Sequence, residues 1–359
     1  MNTTSFNSEN DITVPNPDTA SKIMANWLFV LCAMVFIMVI LGGLTRLTHS
    51  GLSMVDWRPI TGWLPPLNAA EWQAVFELYK ESPEFQKINF DMNVEDFKSI
   101  FWLEFTHRLW GRTMGTVFLL PFVFFIIKGW VTRPLVPRLI FIFILGGLQG
   151  VLGWYMVKSG LIDNPDVSQY RLTAHFSAAV IIYGYMFWVA LSLRKSSHAI
   201  LRKVPSFLSK ATVFTGAWIF LTMMSGGFVA GLDAGLTYNT FPLMDGGIIP
   251  DGLWAKSPGY LNLFENITTV QFNHRILAET TLVLIVGLWL IVRKSDLPME
   301  TRRAFHALMA MGLVQVALGI TTLLYVVPVP IAALHQAGAL ILFTFVLWAV
   351  HGLLGKSYS

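Results

Sequence analysis

The sequence predicts an all-α integral membrane protein whose eight transmembrane helices form two tandem four-helix bundles related by a pseudo-two-fold axis along the membrane normal. Three observations predict it: eight apolar runs long enough to span a bilayer, basic residues gathered in alternate loops, and an internal repeat that keeps its order from the first run to the last. Of 359 residues, 54% are hydrophobic and 13% charged, about half the charge density of a soluble domain. The 13 Trp and 27 Phe suit a bilayer, where aromatic rings pack and mark the interfaces.

A spanning helix needs roughly 20 apolar residues. Ile23–Thr45, Leu139–Val157, Ala211–Ala230 and Ala304–Val327 contain no Asp, Glu, Lys or Arg, and His306 lies near the start of the last. Leu172–Leu193 is interrupted by His175, and Ile331–Leu354 by His335 and His351. Two runs are more polar: Phe101–Ile127 holds Glu104, His107, Arg108 and Arg112, and Val270–Val292 holds His274, Arg275 and Glu279.

The loops orient these runs. Lys22, Lys128, Arg133, Arg138, Arg194, Lys195, Arg202, Lys203, Lys210, Arg293, Lys294, Arg302, Arg303 and Lys356 are 14 of the 25 basic residues. They flank one side of the predicted bundle, which the positive-inside rule makes cytoplasmic, with both termini. The net charge of +4 is therefore a membrane signal, and no nucleic-acid partner is expected. Residues 1–22 read as a disordered cytoplasmic tail and 23–195 as an N-terminal unit with a long outer loop at 47–99. A cytoplasmic linker follows at 196–210, and a C-terminal unit at 211–359. The outer loop is acidic, and its Trp57, Trp63, Trp72 and Pro65-Pro66 predict packing along the interface. Cys32 is the single cysteine, which excludes an intramolecular disulfide and an iron–sulfur cluster.

The repeat relates the two units. Gly42-Gly43 through Gly51 matches Gly226-Gly227 through Gly235; Phe105-Thr-His107-Arg108 matches Phe272-Asn-His274-Arg275; Gln149 to Gly153 matches Gln315 to Gly319; and His175 matches His335. Four matches in constant order indicate duplication, and units with an even number of helices keep the same orientation. The paired glycines read as close helix packing, and those of the first run as a possible basis for homo-oligomers.

A histidine inside a membrane helix is costly and is a functional candidate. His107 and His175 occupy the second and fourth helices of one unit, and His274 and His335 those of the other, all near the outer side. Two imidazoles facing each other across a bundle hold a b-type haem. Zinc, the alternative, wants four ligands, and no cysteine or carboxylate set recurs in both units. His198, His306 and His351 read as interface or loop residues, and His49 as a pocket-rim residue. Arg108 and Arg275 each follow a candidate ligand and suit haem propionates, with snorkelling to the interface as the alternative. Arg46 and Arg171 are weaker candidates. Glu104 stands one turn before His107, where the second unit has Gln271. It is read either as a salt bridge to Arg108 or Arg112, or as charge-stabilising chemistry confined to the first unit. Glu279 lies one turn beyond Arg275, a spacing that predicts an ion pair.

These residues resemble the haem A synthase family. The resemblance rests on Gly42 to Met54 with Trp57-Arg58-Pro59, Glu104-Phe-Thr-His107-Arg108-Leu-Trp-Gly-Arg112, Leu172-Thr-Ala-His175, Phe272-Asn-His274-Arg275 and Leu334-His335-Gln336, and covers nearly the whole chain. The first outer loop lacks a cysteine pair, so the chain resembles the cysteine-free branch of mitochondria and alphaproteobacteria. The resemblance implies an oxidoreductase of the bacterial inner membrane, with haem sites toward the periplasm. It would oxidise the position-8 methyl of haem O to the formyl group of haem A by two successive hydroxylations, for cytochrome oxidase. It further implies a resident haem b on His274 and His335, the substrate haem on His107 and His175, and Glu104 beside the group being oxidised. Haem O synthase and an electron donor would be partners. A diheme electron carrier and a non-catalytic haem carrier are the alternatives.

Overall fold

The computed structural model describes residues 17–58, 61–161, 165, 167–195 and 205–355. Those residues are all-helical, and eight helices are long and apolar enough to cross a membrane. They are α1 (Pro17–Leu47), α4 (Val94–Ile127), α5 (Val136–Gly160), α6 (Gln169–Arg194), α7 (Ser206–Gly231), α9 (Ile267–Val292), α10 (Met299–Leu324) and α11 (Val329–Leu354). Three short helices lie in the long loops: α2 (Ala69–Lys80) and α3 (Pro83–Lys87) before α4, and α8 (Asn262–Glu265) before α9. The chain is an integral membrane protein. Below, the end of the bundle that carries these loops is called the long-loop end.

Several helices start earlier than their apolar runs. Pro17–Lys22, expected to be tail, is helix. Proline suits a first turn, where its missing N–H is not needed, Asp18 complements the helix dipole, and Ala20 and Ser21 are buried. Residues 1–16 lie outside the described residues, as does 196–204 of the expected linker; Ser206–Lys210 is the start of α7. α4 starts at Val94 because Asn93 caps it, its side chain accepting from the backbone N–H groups of Glu95 and Asp96.

The first long loop folds onto α4 through an aromatic cluster. Phe76, Tyr79, Phe97, Phe101 and Phe105 are buried together, with Trp72 edge-on to Phe101 at 4.9 Å. Trp57 packs on Trp154 of α5 at 5.3 Å. Trp63 is exposed. The loop thus packs against α4 and α5 through Trp72 and Trp57 and carries two helices of its own, while Trp57 and Trp63 keep much of their surface exposed.

The four N-terminal spanning helices meet the four C-terminal ones along α1, α6, α7 and α11. Hydroxyl and amide groups stitch this seam. Tyr183 Oη and Thr344 Oγ1 lie 2.7 Å apart, Ser192 Oγ lies 3.0 Å from His351 Nε2, and Gln336 donates to the Val39 carbonyl at 3.0 Å. A buried hydrogen bond is stabilising by about 1 kcal/mol, but an orphaned buried group costs about 1–3 kcal/mol, so these pairs fix register more than they add stability.

Candidate functional site

The structure brings the four expected histidines together in two pairs. His107 of α4 interacts electrostatically with His175 of α6, and His274 of α9 with His335 of α11. All four are half-buried at the long-loop end. Among the described residues no group of three His, Cys, Asp or Glu is placed to hold a metal ion, so each pair offers two imidazoles and no third ligand.

Each imidazole rests on a glycine of the preceding spanning helix. A Cβ on Gly42 would lie 3.3 Å from His107 Nε2, and one on Gly153 would lie 2.9 Å from His175 Cε1. The same distances to Cε1 are 3.2 Å for Gly226 and His274, and 2.9 Å for Gly319 and His335. The four glycines are repeat-equivalent, so the duplication preserved the seat together with the ligand. Gly43 and Gly227 are also packing glycines, against Gln336 and Thr173 across the seam. The first-run glycines therefore face the interior and give no basis for self-association through α1. Gly146, Gly147 and Gly150 break the expectation of close packing: a Cβ at any of them meets nothing within 4 Å. A planar ring with two imidazole ligands fits these residues, because the donor set is right for a six-coordinate haem and the glycine seats let the imidazoles lie close against the helices.

The pairs differ in what holds the other ring nitrogen. Ser225 Oγ lies 2.7 Å from His274 Nδ1, and Gln315 Nε2 lies 3.2 Å from His335 Nδ1 while also donating to the His335 carbonyl at 2.9 Å. In the other unit Gln149 Nε2 donates to the His175 carbonyl at 2.7 Å, yet His175 Nδ1 is buried with no hydrogen-bond partner. The repeat position of Ser225 is Leu41, which has no polar group to offer His107. Partners of this kind fix the tautomer and orientation of a metal-binding imidazole. Sequence reading missed Ser225 and gave Gln149 and Gln315 no role; their place in the aligned repeat was the available signal.

The arginines do the same thing in both units. Arg108 donates to the carbonyls of Met54 at 2.8 Å and Asp56 at 3.2 Å. Arg275 donates to those of Tyr238 and Thr240, each at 2.8 Å, which are the repeat positions of Met54 and Asp56. Each guanidinium thus ties a long loop down beside a histidine. Glu279 acts on Arg275 through its charge, while the hydrogen bonds of the guanidinium go to these carbonyls and Arg275 Nε is buried without a partner.

Glu104 is 2% exposed. Its Oε2 accepts from Ser53 Oγ at 2.7 Å and the Met54 N–H at 2.8 Å, and its Oε1 pairs with Arg108. Of the two readings of Glu104, the Arg108 ion pair is thus formed. Arg112 donates instead to the Arg58 carbonyl at 2.6 Å. Gln271 makes the neutral counterpart, donating to the carbonyls of Ala234 at 3.0 Å and Tyr238 at 3.2 Å.

The remaining candidates lie elsewhere. Arg46, in the last turn of α1, pairs at 2.9 Å with Asp233 in the turn that follows α7, bridging the two units. Arg171 sits over the Tyr155 ring at 4.5 Å. His49 is exposed with a positive φ of 51°, matched by 49° at its repeat position Asp233; both residues turn the chain out of a spanning helix. His306 accepts from Trp289 Nε1 at 2.9 Å, His351 is buried at the seam, and His198 lies outside the described residues.

Residues 25–347 match the family described as cytochrome oxidase assembly protein, COX15-CtaA. The chain is 52% identical to Heme A synthase of Nitrosospira multiformis, over 92% of this chain and 94% of that protein. It is 51% identical to Heme A synthase of Paramagnetospirillum magneticum, over 93% of this chain and 94% of that one. Heme A synthase COX15 of Homo sapiens is 46% identical over 93% of this chain and 83% of its own length. By the match of its residues from the first spanning helix to the last, the chain belongs to the cytochrome oxidase assembly protein family, COX15-CtaA.

Proposed function

We infer that this chain oxidises haem O to haem A, converting the position-8 methyl to a formyl group by two successive hydroxylations and loss of water. The observation that carries the reading is the pairing of four glycine-seated histidines, both held at Nδ1 in one unit, while in the other His175 Nδ1 is buried without a partner. His274 and His335 hold a resident haem b; Ser225 and Gln315 keep their rings oriented, as a permanent ligand set requires. A haem held there would supply one-electron redox chemistry.

His107 and His175 bind the substrate. Freedom at Nδ1 suits ligands that must take haem O and release haem A. Glu104 places a fixed negative charge one turn from His107, neutralised by Arg108 and anchored to the Ser53–Met54 segment. The second unit has no such charge at Gln271, which supports confining the chemistry to the first. Arg108 and Arg275 hold the loops at the two mouths, and Arg275, bonded to carbonyls alone, presents positive charge toward the propionate edge of its haem. The enzyme sits in the inner membrane with both termini cytoplasmic and the haem sites toward the periplasm. Haem O synthase supplies its substrate; each hydroxylation consumes one dioxygen and two electrons from a separate donor, one oxygen atom entering the methyl group and the other leaving as water.

The test is to express the chain with haem O synthase in cells lacking endogenous haem A and to chromatograph the extracted haems. Haem A is expected from the wild-type chain and none from His107→Ala. Haem O alone in the wild-type extract, with two bound haems, would favour an electron carrier instead.

A further inference from the structure

The two units differ below the imidazoles as well as around them. On α5, Leu139, Ile142, Gly146, Gly150 and Gly153 recur at helical spacing and share one face. That face points inward: Gly153 at its top presses on His175, and Leu139 and Ile142 at its bottom are 0% and 3% exposed. Between them Gly146 and Gly150 face open space. Across from them on α4, Gly115 also faces open space, and Gly111 stands one turn nearer His107. Lower down, α4 and α5 close again where Phe118 stacks on Phe143 at 5.6 Å. The result is a furrow between α4 and α5 that starts beneath the His175 imidazole and ends at an aromatic floor. From Gly153 to Ile142 it descends roughly 16 Å at the helical rise. Two buried polar atoms at its head, His175 Nδ1 and Gln149 Oε1, have no hydrogen-bond partner.

The second unit fills the same space. The repeat position of Gly115 is Leu282, that of Gly150 is Val316, and that of Gly146 is Gly312. Gly312 is closed off, with Ile285 Cδ1 at 3.3 Å and Leu282 Cδ1 at 3.7 Å from its Cβ position. The two units align in sequence along these helices, but only the first keeps glycine at the two positions that open the furrow.

We propose that the furrow lined by Gly115, Gly146 and Gly150 receives the isoprenoid tail of the substrate haem, and that Leu282 and Val316 make the other unit selective for a haem without a tail. This rests on the assignment of haem O to His107 and His175. Haem O differs from haem b by a hydroxyethylfarnesyl group in place of a vinyl, on the macrocycle edge opposite the propionates. With the propionates at the long-loop mouth, beside Arg108, the tail points down the furrow. An apolar chain there gains burial against Phe118 and Phe143 that it would lack on the surface.

The test copies the second unit into the first. Neither Gly115→Leu nor Gly150→Val meets an atom within 4 Å of its Cβ, so both fit the fold. The purified double variant is incubated with haem O or with haem B, and the retained haems are extracted and counted per protein. The double variant is expected to keep the resident haem b spectrum and to bind haem B in the first unit as wild type does. Its haem O retention should fall at least tenfold, and haem A formation with it. Wild-type haem O retention in the double variant would overturn the proposal, as would equal loss of haem O and haem B. The converse variant, Leu282→Gly with Val316→Gly, should gain haem O retention, which serves if the first variant fails to fold. Wild-type protein that retains haem O but never makes haem A would overturn the reaction and leave the furrow standing.

Discussion

In the C-terminal unit both histidines have their Nδ1 within hydrogen-bonding distance of a neighbour, Ser225 or Gln315, and the space beneath them is packed with Leu282 and Ile285. In the N-terminal unit His175 Nδ1 has no partner, Leu41 stands where Ser225 would be, and glycines leave the space beneath open. The helices, the glycine seats and the arginine clamps are the same. A pre-oriented ligand set in a closed pocket favours slow exchange, and a looser one beside an open furrow favours turnover. On the proposed assignment, the difference between cofactor and substrate is written outside the ligands, in groups that touch them.

The widest separation between the units is expected from their ligands. His274→Ala or His335→Ala should abolish the b-type absorbance of the purified protein, while His107→Ala should leave it and abolish haem A formation. Optical spectra and haem extraction read the two outcomes separately. A bis-imidazole spectrum that survives in His274→Ala would reverse the assignment of the units.

The next effect concerns Glu104 and Gln271. Glu104→Ala strips the carboxylate from a half-buried Arg108, and such a loss costs on the order of 3–5 kcal/mol. Gln271→Ala removes two neutral hydrogen bonds from buried carbonyls, about 1–3 kcal/mol. Thermal unfolding should rank the variants in that order. Glu104→Gln copies the second unit and separates anchoring from charge: haem A formation should fall although the fold is kept. Full activity in Glu104→Gln would leave Glu104 as an anchor alone.

The caps over the two mouths should also differ in pH response. Over the first unit, Glu84 is buried, and Tyr79 Oη donates to it at 3.0 Å. Burial pushes its carboxyl up to about 7, Tyr79 opposes this, and Glu104 adds to it. A raised value means that the folded cap prefers the protonated acid. Its contribution is full below the ordinary value near 4.5 and is lost as pH rises through about 7, an amount of ~3 kcal/mol. The second mouth is tied by amides, with Asn262 Nδ2 donating to the carbonyls of Lys256 and Gly259 and Asn266 Nδ2 to Asn262 Oδ1. Proteolysis of the first loop should therefore quicken between pH 5 and pH 8, with Glu84→Gln flattening the profile and the second loop showing no such trend.

Eight spans, four histidines and their pairing were legible because each follows from local rules: apolar length, a costly ionisable group, and a repeat in constant order. What a residue meets across the bundle was not. Gly42-Gly43 and Gly146-Gly147 read alike, yet the first pair seats His107 and Gln336 while the second faces open space. Arg108 and Arg275 suit carboxylates by chemistry, but the loops that fold over them supply carbonyls first. Such outcomes depend on which helix approaches which, and no periodicity encodes that.

Ser225 gives the smallest effect and the sharpest test of why one haem stays. Ser225→Ala leaves the His274 ligand and its Gly226 seat in place and removes only the Nδ1 partner. Loss of a partner of this kind typically weakens metal binding 10–100-fold, about 1.4–2.7 kcal/mol. The expected outcome is faster transfer of haem b from the variant to apomyoglobin, with little change in thermal stability. Leu41→Ser places a hydroxyl at the repeat position, on the helix that meets the Nε2–Cδ2 edge of His107, so the ring has to turn over to take a partner at Nδ1 as His274 does. It should slow haem release from the first unit and lower turnover through product retention, while the first turnover keeps its rate. If Ser225→Ala releases haem b no faster than wild type, the hydrogen bond is incidental, and retention has to come from the packed space beneath the ligands.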